Sequence, residues 1–116
     1  MSTVVGRDEL MALCTGERVV HQITIKGKTF NILEMTEQQR SSFEGLVYGD
    51  GSTRDGFRSG LLAATLSDGN GSRLLTDDER EVVGKMLGSY AGPLFAFSLK
   101  VNGFTRDDEE AAAKNS

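Results

Sequence analysis

SDGNGSR, residues 67–73, separates two apolar parts of the chain. The small-residue run LLAATL at 61–66 precedes it, and the pattern TDDE at 76–79 follows it. Glycine accepts positive φ, and Asp, Asn and Ser side chains bond to nearby backbone, so this composition is typical of a tight reversal. The pattern predicts an antiparallel connection between two helical segments, with Thr76 and Glu79 forming a capping box at the start of the second.

The same loop also has the oxygen-ligand spacing of an EF-hand calcium site. Asp68, Asn70, Ser72 and Glu79 stand at the first, third, fifth and twelfth positions of such a loop. The sixth position, where an EF-hand needs glycine for its sharp turn, is Arg73. A helix-capping turn is therefore the preferred interpretation, and a calcium-binding module using the 68–79 loop is kept as an alternative.

The N-terminal part of the chain favours a helix over residues 7–14, with Leu10, Leu13 and Cys14 on one side at i, i+3, i+4 spacing. Cys14 is the single cysteine, which excludes an intrachain disulfide framework. One cysteine and the nearby His21 make neither a closed zinc site nor an oriented catalytic triad. We therefore expect Cys14 to be a small buried residue.

A β-hairpin is predicted next. Residues 19–25 alternate with a period of two and are rich in β-branched side chains, residues 26–28 turn the chain, and residues 29–33 return it. A hairpin alone is marginally stable, so we expect one face to pack on the helices or on the sheet edge of another subunit.

Four further helices are expected after the hairpin. They cover about residues 36–47, 54–66, 76–87 and 93–102, with a loop at 49–52 between the first two. Thr36 and Gln39 are expected to form a capping box at the start of the first of them, with Phe43, Leu46 and Val47 on its apolar side. Gly60 in the second is expected to allow close approach of a neighbouring helix. Pro93 is expected at the first helical position of the last one, which Gly103 would end.

These elements predict an α+β, mostly helical fold: an N-terminal helix and a β-hairpin followed by a three- to four-helix bundle. At 116 residues the chain fits one domain, which we place at residues 1–104, followed by an acidic flexible tail at residues 105–116. The net charge of −4 argues against nucleic-acid binding. Neither a signal peptide nor an apolar run long enough for a membrane span stands out, so we expect a soluble cytoplasmic protein.

No pattern of catalytic chemistry is evident, and we expect neither an enzyme nor a cofactor or metal site. The glycine-containing segment at 49–52 carries no lysine and follows a helix, so it is not a phosphate-binding loop. The paired carboxylates Asp77 and Asp78 are better explained as charges at a helix start.

Binding of a partner is the remaining class of function, and the chain offers one wide apolar segment for it. The candidate partner-binding residues are Met86, Phe95, Phe97, Leu99 and Phe104. The helical period favours a core position for Leu94, Phe97 and Val101. Phe95 and Phe104 fit the period less well, so we expect these two aromatic residues to be exposed and available to a partner.

Several short motifs follow one another from about Leu33 onward. They are a small-residue helix, then Asp68-x-x-Gly71-x-x-Leu74-Leu75-Thr76-Asp77-Asp78-Glu79, then Val82-Val83-Gly84, then Leu94-Phe95 and Val101-Asn102-Gly103. This order resembles the tail assembly chaperones of long-tailed bacteriophages. The chain differs from that pattern at Asn70, where the family has Asp, at Leu75, where it has an aromatic residue, and at Pro93, which interrupts the region where the family runs into its last helix.

The resemblance implies a non-enzymatic protein of the infected host cytoplasm that is absent from the mature virion. It implies two partners, the tail tube protein before polymerisation and the tape measure protein, and a homo-oligomer. It also implies a longer product made by a programmed frameshift, and Ala113-Lys114-Asn115 is compatible with a slippery A-AAA-AAC heptamer. A structural head–tail or tail-completion protein of the virion is the other alternative.

Overall fold

The computed structural model describes residues 4–16, 18–48 and 54–105. Along these residues the elements are α1 (Arg7–Thr15), β1 (Val20–Ile25), β2 (Lys28–Leu33), α2 (Glu37–Val47), α3 (Arg54–Thr65), β3 (Leu66–Ser67), a 3₁₀ turn (Asp77–Glu79), α4 (Arg80–Val83) and α5 (Gly88–Val101). This order confirms the predicted fold class, α+β and mostly helical, with a helix and a hairpin before the remaining helices. The loop predicted at 49–52 and all of the predicted tail except Thr105 lie outside the described residues.

The predicted hairpin forms from β1 and β2, which pair antiparallel so that Ile25 lies opposite Lys28. Lys26 and Gly27 make the connection as a two-residue turn, and both have positive φ, 52° and 78°. Two successive residues with positive φ are the signature of a type I′ turn, whose twist matches that of the strands it joins.

A third strand, β3, joins the sheet and was not predicted. Leu66 and Ser67 pair antiparallel with Ile32 and Asn31 of β2, which gives the sheet the order β1-β2-β3. The predicted helix therefore ends one residue early, at Thr65. Because two residues carry no readable periodicity, only their pairing with β2 identifies them as a strand. β1 lies at one edge of the sheet.

The predicted capping box opens α2 and is confirmed. The Thr36 hydroxyl accepts from the Gln39 amide at 3.2 Å, and the Gln39 side chain accepts from the Thr36 amide at 2.9 Å. The close approach of a neighbouring helix at Gly60 is also present, since a β-carbon there would lie 2.9 Å from Cγ1 of Val47. Leu46 is exposed, so its predicted place on the apolar side of this helix is wrong.

The continuous helix predicted over 76–87 is wrong. The 3₁₀ turn and the four-residue α4 end at Val83, and the following amides bond three residues back: Gly84 to Glu81 at 3.2 Å, Lys85 to Val82 at 3.0 Å and Met86 to Val83 at 3.0 Å. Gly84 weakens a helix at this point, and α5 already begins at Gly88. Val83 is buried, while Val82 and Leu87 are exposed.

The last helix begins earlier than predicted. α5 starts at Gly88, so Pro93 is its sixth residue and not its first. Pro93 has no amide to donate to the carbonyl of Ser89, one turn earlier. Ser89 lies in the exposed first turn of α5, where water can satisfy that carbonyl.

The end of α5 agrees with the prediction. Gly103 has φ 71° and donates to the carbonyl of Lys100 at 3.4 Å, while the amide of Phe104 donates to the carbonyl of Leu99 at 2.9 Å. These two bonds form a Schellman motif, which requires a left-handed residue at Gly103 and directs Phe104 back toward the helix.

Four phenylalanine rings from three elements and the segment after α5 meet in the core. The ring of Phe57 on α3 lies 5.5 Å from that of Phe43, 6.1 Å from that of Phe95 and 5.8 Å from that of Phe104, centroid to centroid and edge to face. All four rings are buried. α5 contacts α3 as well as both strands of the hairpin, so it is covered from two directions.

Candidate partner-binding surface

α1 is the most exposed helix element of the described chain. Leu10, Leu13 and Cys14 share one side of it, as predicted, yet none of its residues is buried, and Leu10 and Leu13 expose 55% and 76% of their surface. The expectation that Cys14 is buried is wrong, because α1 does not fold back onto the core. The described residues therefore leave the apolar side of α1 uncovered.

The local sequence gives α1 little support of its own. Gly6 at its N-cap offers no side-chain acceptor, and its last turn contains no basic residue. Thr15 bonds back to the carbonyl of Met11 at 2.8 Å within the helix. Isolated helices shorter than about 12 residues are marginal in water, so a nine-residue α1 gains most from packing its apolar side on something else.

A second feature is a groove of mixed polar and apolar lining among α3, α4 and α5, with a volume of about 250 Å³. Its apolar lining consists of Leu62, Val83, Met86, Ala91 and Phe95. The guanidinium of Arg58 lies 4.2 Å from the centroid of the Phe95 ring and forms part of the groove wall. Val82, which precedes Val83, and Leu87, which follows Met86, are both exposed.

The candidate residues predicted from sequence do not form one exposed patch. The prediction that Phe95 and Phe104 are exposed is wrong, since they expose only 4% and 6% of their surface. Phe95 is buried because α5 is covered on two sides, and Phe104 because the Schellman motif directs it onto Phe43 and Phe57. Met86 and Phe95 both line the groove, while Phe95 and Phe104 both pack on the ring of Phe57 in the core.

Phe97 and Leu99, the remaining candidates, are partly buried and pack against the core. Core packing therefore accounts for both residues, in line with the position that the helical period favours for Phe97. The sequence did not identify α1 as a binding surface, although the i, i+3, i+4 spacing of Leu10, Leu13 and Cys14 was evident. Whether α1 packs on the rest of the chain depends on the tertiary fold, and a local sequence pattern does not contain this information.

The 68–79 loop uses its oxygen atoms for its own backbone. Oδ1 of Asp68 accepts from the amides of Asn70 at 2.8 Å and Ser72 at 3.0 Å, and Gly71 between them has φ 83°. A carboxylate oxygen of Glu79 accepts from the amide of Thr76 at 2.9 Å. These contacts fit the helix-capping interpretation, and within the described ranges no three His, Cys, Asp or Glu side chains are grouped to hold a metal ion.

Arg73, at the position where an EF-hand needs glycine, has a structural contact of its own. Its guanidinium donates twice to the carbonyl of Ala63 near the end of α3, at 3.1 and 3.0 Å, and once to Asp77 at 2.8 Å. A cation near the last turn of a helix interacts favourably with its dipole. Arg73 thus joins α3 to the 3₁₀ turn, and it would place a positive charge beside a bound cation.

His21 and Cys14, which are close in sequence, lie on β1 and α1. Nε2 of His21 lies 3.1 Å from Oε1 of Glu34 at the end of the hairpin, on the exposed surface. Cys14 lies on α1, in a different element. The geometry gives no sign that the two act together on a substrate.

Models of known protein families, curated proteins and solved structures were compared with this chain, and none matched. In residues 4–16, 18–48 and 54–105, no helix has the length and apolar character needed to cross a membrane. The function of this chain is therefore inferred from its surface features and from the motif resemblance.

Proposed function

We propose that this protein is a phage tail assembly chaperone, a non-enzymatic protein that binds tail tube subunits and the tape measure protein while the tail is built. It would act in the host cytoplasm and be absent from the mature virion. The motif order from residue 33 onward supports the proposal, and so does a surface suited to transient apolar contacts.

The observation that carries the proposal is the uncovered apolar side of α1. A short helix with exposed Leu10 and Leu13 is a poor helix alone and a good ligand for an apolar groove, since amphipathic helices bind through residues at i, i+3 and i+4. A chaperone that must release its client needs such a small surface, because large apolar interfaces belong to permanent complexes. The groove lined by Met86 and Phe95 supplies a second contact, of limited size and mixed polar and apolar lining.

The motif residues themselves support the fold and do not form this surface. Asp68 and Gly71 shape the loop, Thr76 and Glu79 cap the 3₁₀ turn, and Asn102 holds the end of α5. The resemblance therefore bears mainly on the architecture, and the contacts proposed for α1 come from residues outside the motifs.

The direct test follows polymerisation of the tail tube protein of the same phage, with and without this chain. We expect the chain to delay polymerisation and to be retained in a complex with monomeric tube protein. The double variant Leu10→Glu/Leu13→Glu should weaken that complex at least about tenfold, because charges replace the apolar anchors. Leu74→Glu is the matched control, since Leu74 is also exposed but lies in the central loop, outside α1.

Cys14 provides an independent readout of the same surface. It is the single cysteine and it is exposed on α1, so a maleimide should label it in the free protein. Bound tube protein should slow this labelling. No retained complex, no delay and unchanged labelling would together contradict the proposal. Mass spectrometry of purified virions separates it from a structural tail protein, which would be found in the particle.

A further inference from the structure

A cavity of about 530 Å³ lies between α2 and the segment where α3 passes into the central loop. It is separate from the groove among α3, α4 and α5 and shares none of its lining residues. Met35, Phe43 and Ala64 form its apolar lining, and Phe43 and Ala64 belong to the core. The rest of the lining is polar or charged, so the cavity suits a ligand with both apolar and polar groups.

Two arginines from distant parts of the chain line this cavity, and each keeps donors that the described residues do not use. Arg18 donates through Nη1 to the carbonyl of Gly71 at 2.7 Å, while its Nε and Nη2 have no hydrogen bond with the described residues. Arg73 donates through Nε and Nη2 to Ala63 and Asp77, while its Nη1 has none with them. A guanidinium carries five N–H donors, so both side chains can still bind an acceptor such as a carboxylate.

The cavity is positive in a chain that is negative overall. Its charged lining residues are Arg18, Arg73 and Asp77, which together give a formal charge of +1, against −4 for the whole chain. Gln38 and Ser42 add an amide and a hydroxyl group at exposed positions of α2. Charge complementarity therefore favours an acidic ligand, and the apolar lining favours a peptide over a free inorganic anion.

The chain has an acidic segment that begins close to this cavity. Residues 107–110 read Asp-Asp-Glu-Glu, and they lie outside the described residues, which end at Thr105. The ring centroid of Phe104 lies 5.4 Å from that of Phe43, a residue of the cavity lining. The last described residues are therefore one side chain away from the cavity. An extended chain spans about 3.3 Å per residue, so residues 106–110 reach up to about 17 Å, more than the roughly 10 Å diameter of a helix.

We propose that the cavity binds residues 107–110 of its own chain, whose carboxylates accept hydrogen bonds from the unused donors of Arg18 and Arg73. A segment on a short tether has an effective concentration in the millimolar range, whereas a separate acidic protein is repelled by the net charge of −4. Exposed ion pairs are weak and screened by salt, so the contact should be reversible and salt-sensitive. The residues after 110 would remain the free tail expected from the sequence.

The first experiment compares NMR spectra of the full natural chain with those of a full-length variant in which amides replace the four acids. The substitutions are Asp107→Asn, Asp108→Asn, Glu109→Gln and Glu110→Gln. We expect the resonances of the Ser42 amide and the Arg18 Nε–H to shift, because the group beside them changes, while the amide of Lys26 at the hairpin turn stays in place. Salt at 1 M, where the Debye length is about 3 Å, should move the resonances of the natural chain toward those of the variant.

Two neighbouring serines provide matched variants. Ser41 and Ser42 are both exposed on α2, and only Ser42 lines the cavity. Ser42→Glu adds a like charge beside the acidic segment and should release it, whereas Ser41→Glu adds the same charge outside the cavity. A glutamate-specific protease detects the release by cleaving after Glu109 and Glu110. Since cleavage follows the open population, we expect Ser42→Glu to be cut there about fivefold faster than the natural chain, and Ser41→Glu at the natural rate.

The cavity does not hold its own acidic segment if the four amide substitutions leave the Ser42 and Arg18 resonances in place. Equal cleavage rates of Ser41→Glu and Ser42→Glu after residues 109 and 110 would also exclude the contact. Arg18→Gln keeps a donor for the carbonyl of Gly71 but removes the charge, so it should speed the cleavage as well, and a natural rate would contradict the part given to Arg18. None of these measurements uses a tail protein, so their outcome is independent of the α1 variants.

Discussion

The side-chain amide of Asn102 donates to the backbone carbonyl of Leu33 at 3.2 Å, which joins the end of α5 to the end of β2 across 69 positions of sequence. The same amide donates to the carbonyl of Ser98 at 3.1 Å, and Oδ1 of Asn102 accepts from the amide of Met35 at 2.7 Å. The carbonyl of Asn102 in turn accepts from Arg40 of α2 at 2.8 Å. One buried asparagine thus fixes the last helix to the hairpin and to α2.

Asn102→Ala should lower the free energy of unfolding by about 2–4 kcal/mol, because it removes a buried hydrogen bond to the carbonyl of Leu33 and a partly buried one from the amide of Met35. Urea unfolding followed by circular dichroism measures this change. Asn31→Ala is the matched control: Asn31 also receives a side-chain hydrogen bond, from Gln22 on the exposed surface, and should cost less than about 1 kcal/mol. Equal costs for the two variants would contradict the role given to Asn102.

Gly60→Ala should destabilise the protein by about 1–3 kcal/mol, because the added carbon would lie 2.9 Å from Cγ1 of Val47 at the contact of α2 and α3. Val47→Ala removes that methyl group, so the double variant should lose less stability than the two single costs added together. Gly45→Ala is the control, since Gly45 lies inside α2 and a β-carbon there meets nothing within 4 Å, and it should be neutral or stabilising. Thermal unfolding of the four proteins measures the coupling; simple additivity would argue against this contact.

The hydroxyl groups of Thr65 and Ser98 lie 2.8 Å apart in the core between α3 and α5, and Thr65 also donates to the carbonyl of Leu61 at 2.7 Å. Since Thr65 gives its proton to Leu61, Ser98 is the donor to Thr65. Thr65→Val should therefore cost about 1–3 kcal/mol, because the buried Ser98 hydroxyl loses its acceptor.

Ser98→Ala should cost less, because Thr65 keeps its bond to the carbonyl of Leu61. The double variant, which removes both hydroxyl groups, should be more stable than Thr65→Val alone. Denaturant unfolding of the set gives the pairwise energy, and a double variant less stable than either single one would refute the assignment of donor and acceptor.

Local signals in the sequence predicted the elements whose ends are fixed locally. The capping box of Thr36 and Gln39, the turn at Lys26 and the left-handed Gly103 each act within a few residues, and the structure has all three. Such features could be predicted because the physical cause and its effect lie in the same short segment.

Features that depend on distant contacts could not be predicted in the same way. Leu66 and Ser67 form a strand only because β2 lies beside them. Phe95 and Phe104 were expected on the surface because a helical period describes one covered side, whereas α5 is covered by α3 and by the hairpin. α1 is exposed because none of the other described elements covers its apolar side, and that depends on the complete tertiary fold.

Asp68→Asn should leave stability nearly unchanged, because an amide oxygen can accept the same two backbone bonds from Asn70 and Ser72. Asp68→Ala removes the acceptor and should cost about 1–2 kcal/mol. Millimolar calcium should not raise the midpoint of thermal unfolding of either variant or of the natural chain. A calcium-dependent rise that Asp68→Asn abolishes would favour the calcium-binding alternative, since a ligand of the folded state must stabilise it.

Removal of residues 1–16 should leave the free energy of unfolding within about 0.5 kcal/mol of its original value, because α1 buries none of its side chains. Phe104→Ala, near the other end of the described chain, is the contrasting variant: its ring is buried against Phe43 and Phe57 and should cost about 3–5 kcal/mol. The truncated protein should keep its fold and lose its binding to tail tube protein. A loss of more than about 1.5 kcal/mol in the free energy of unfolding would exceed the effect expected of a surface change. It would show that α1 packs on the core of its own chain, and it would remove the observation on which the proposed function depends.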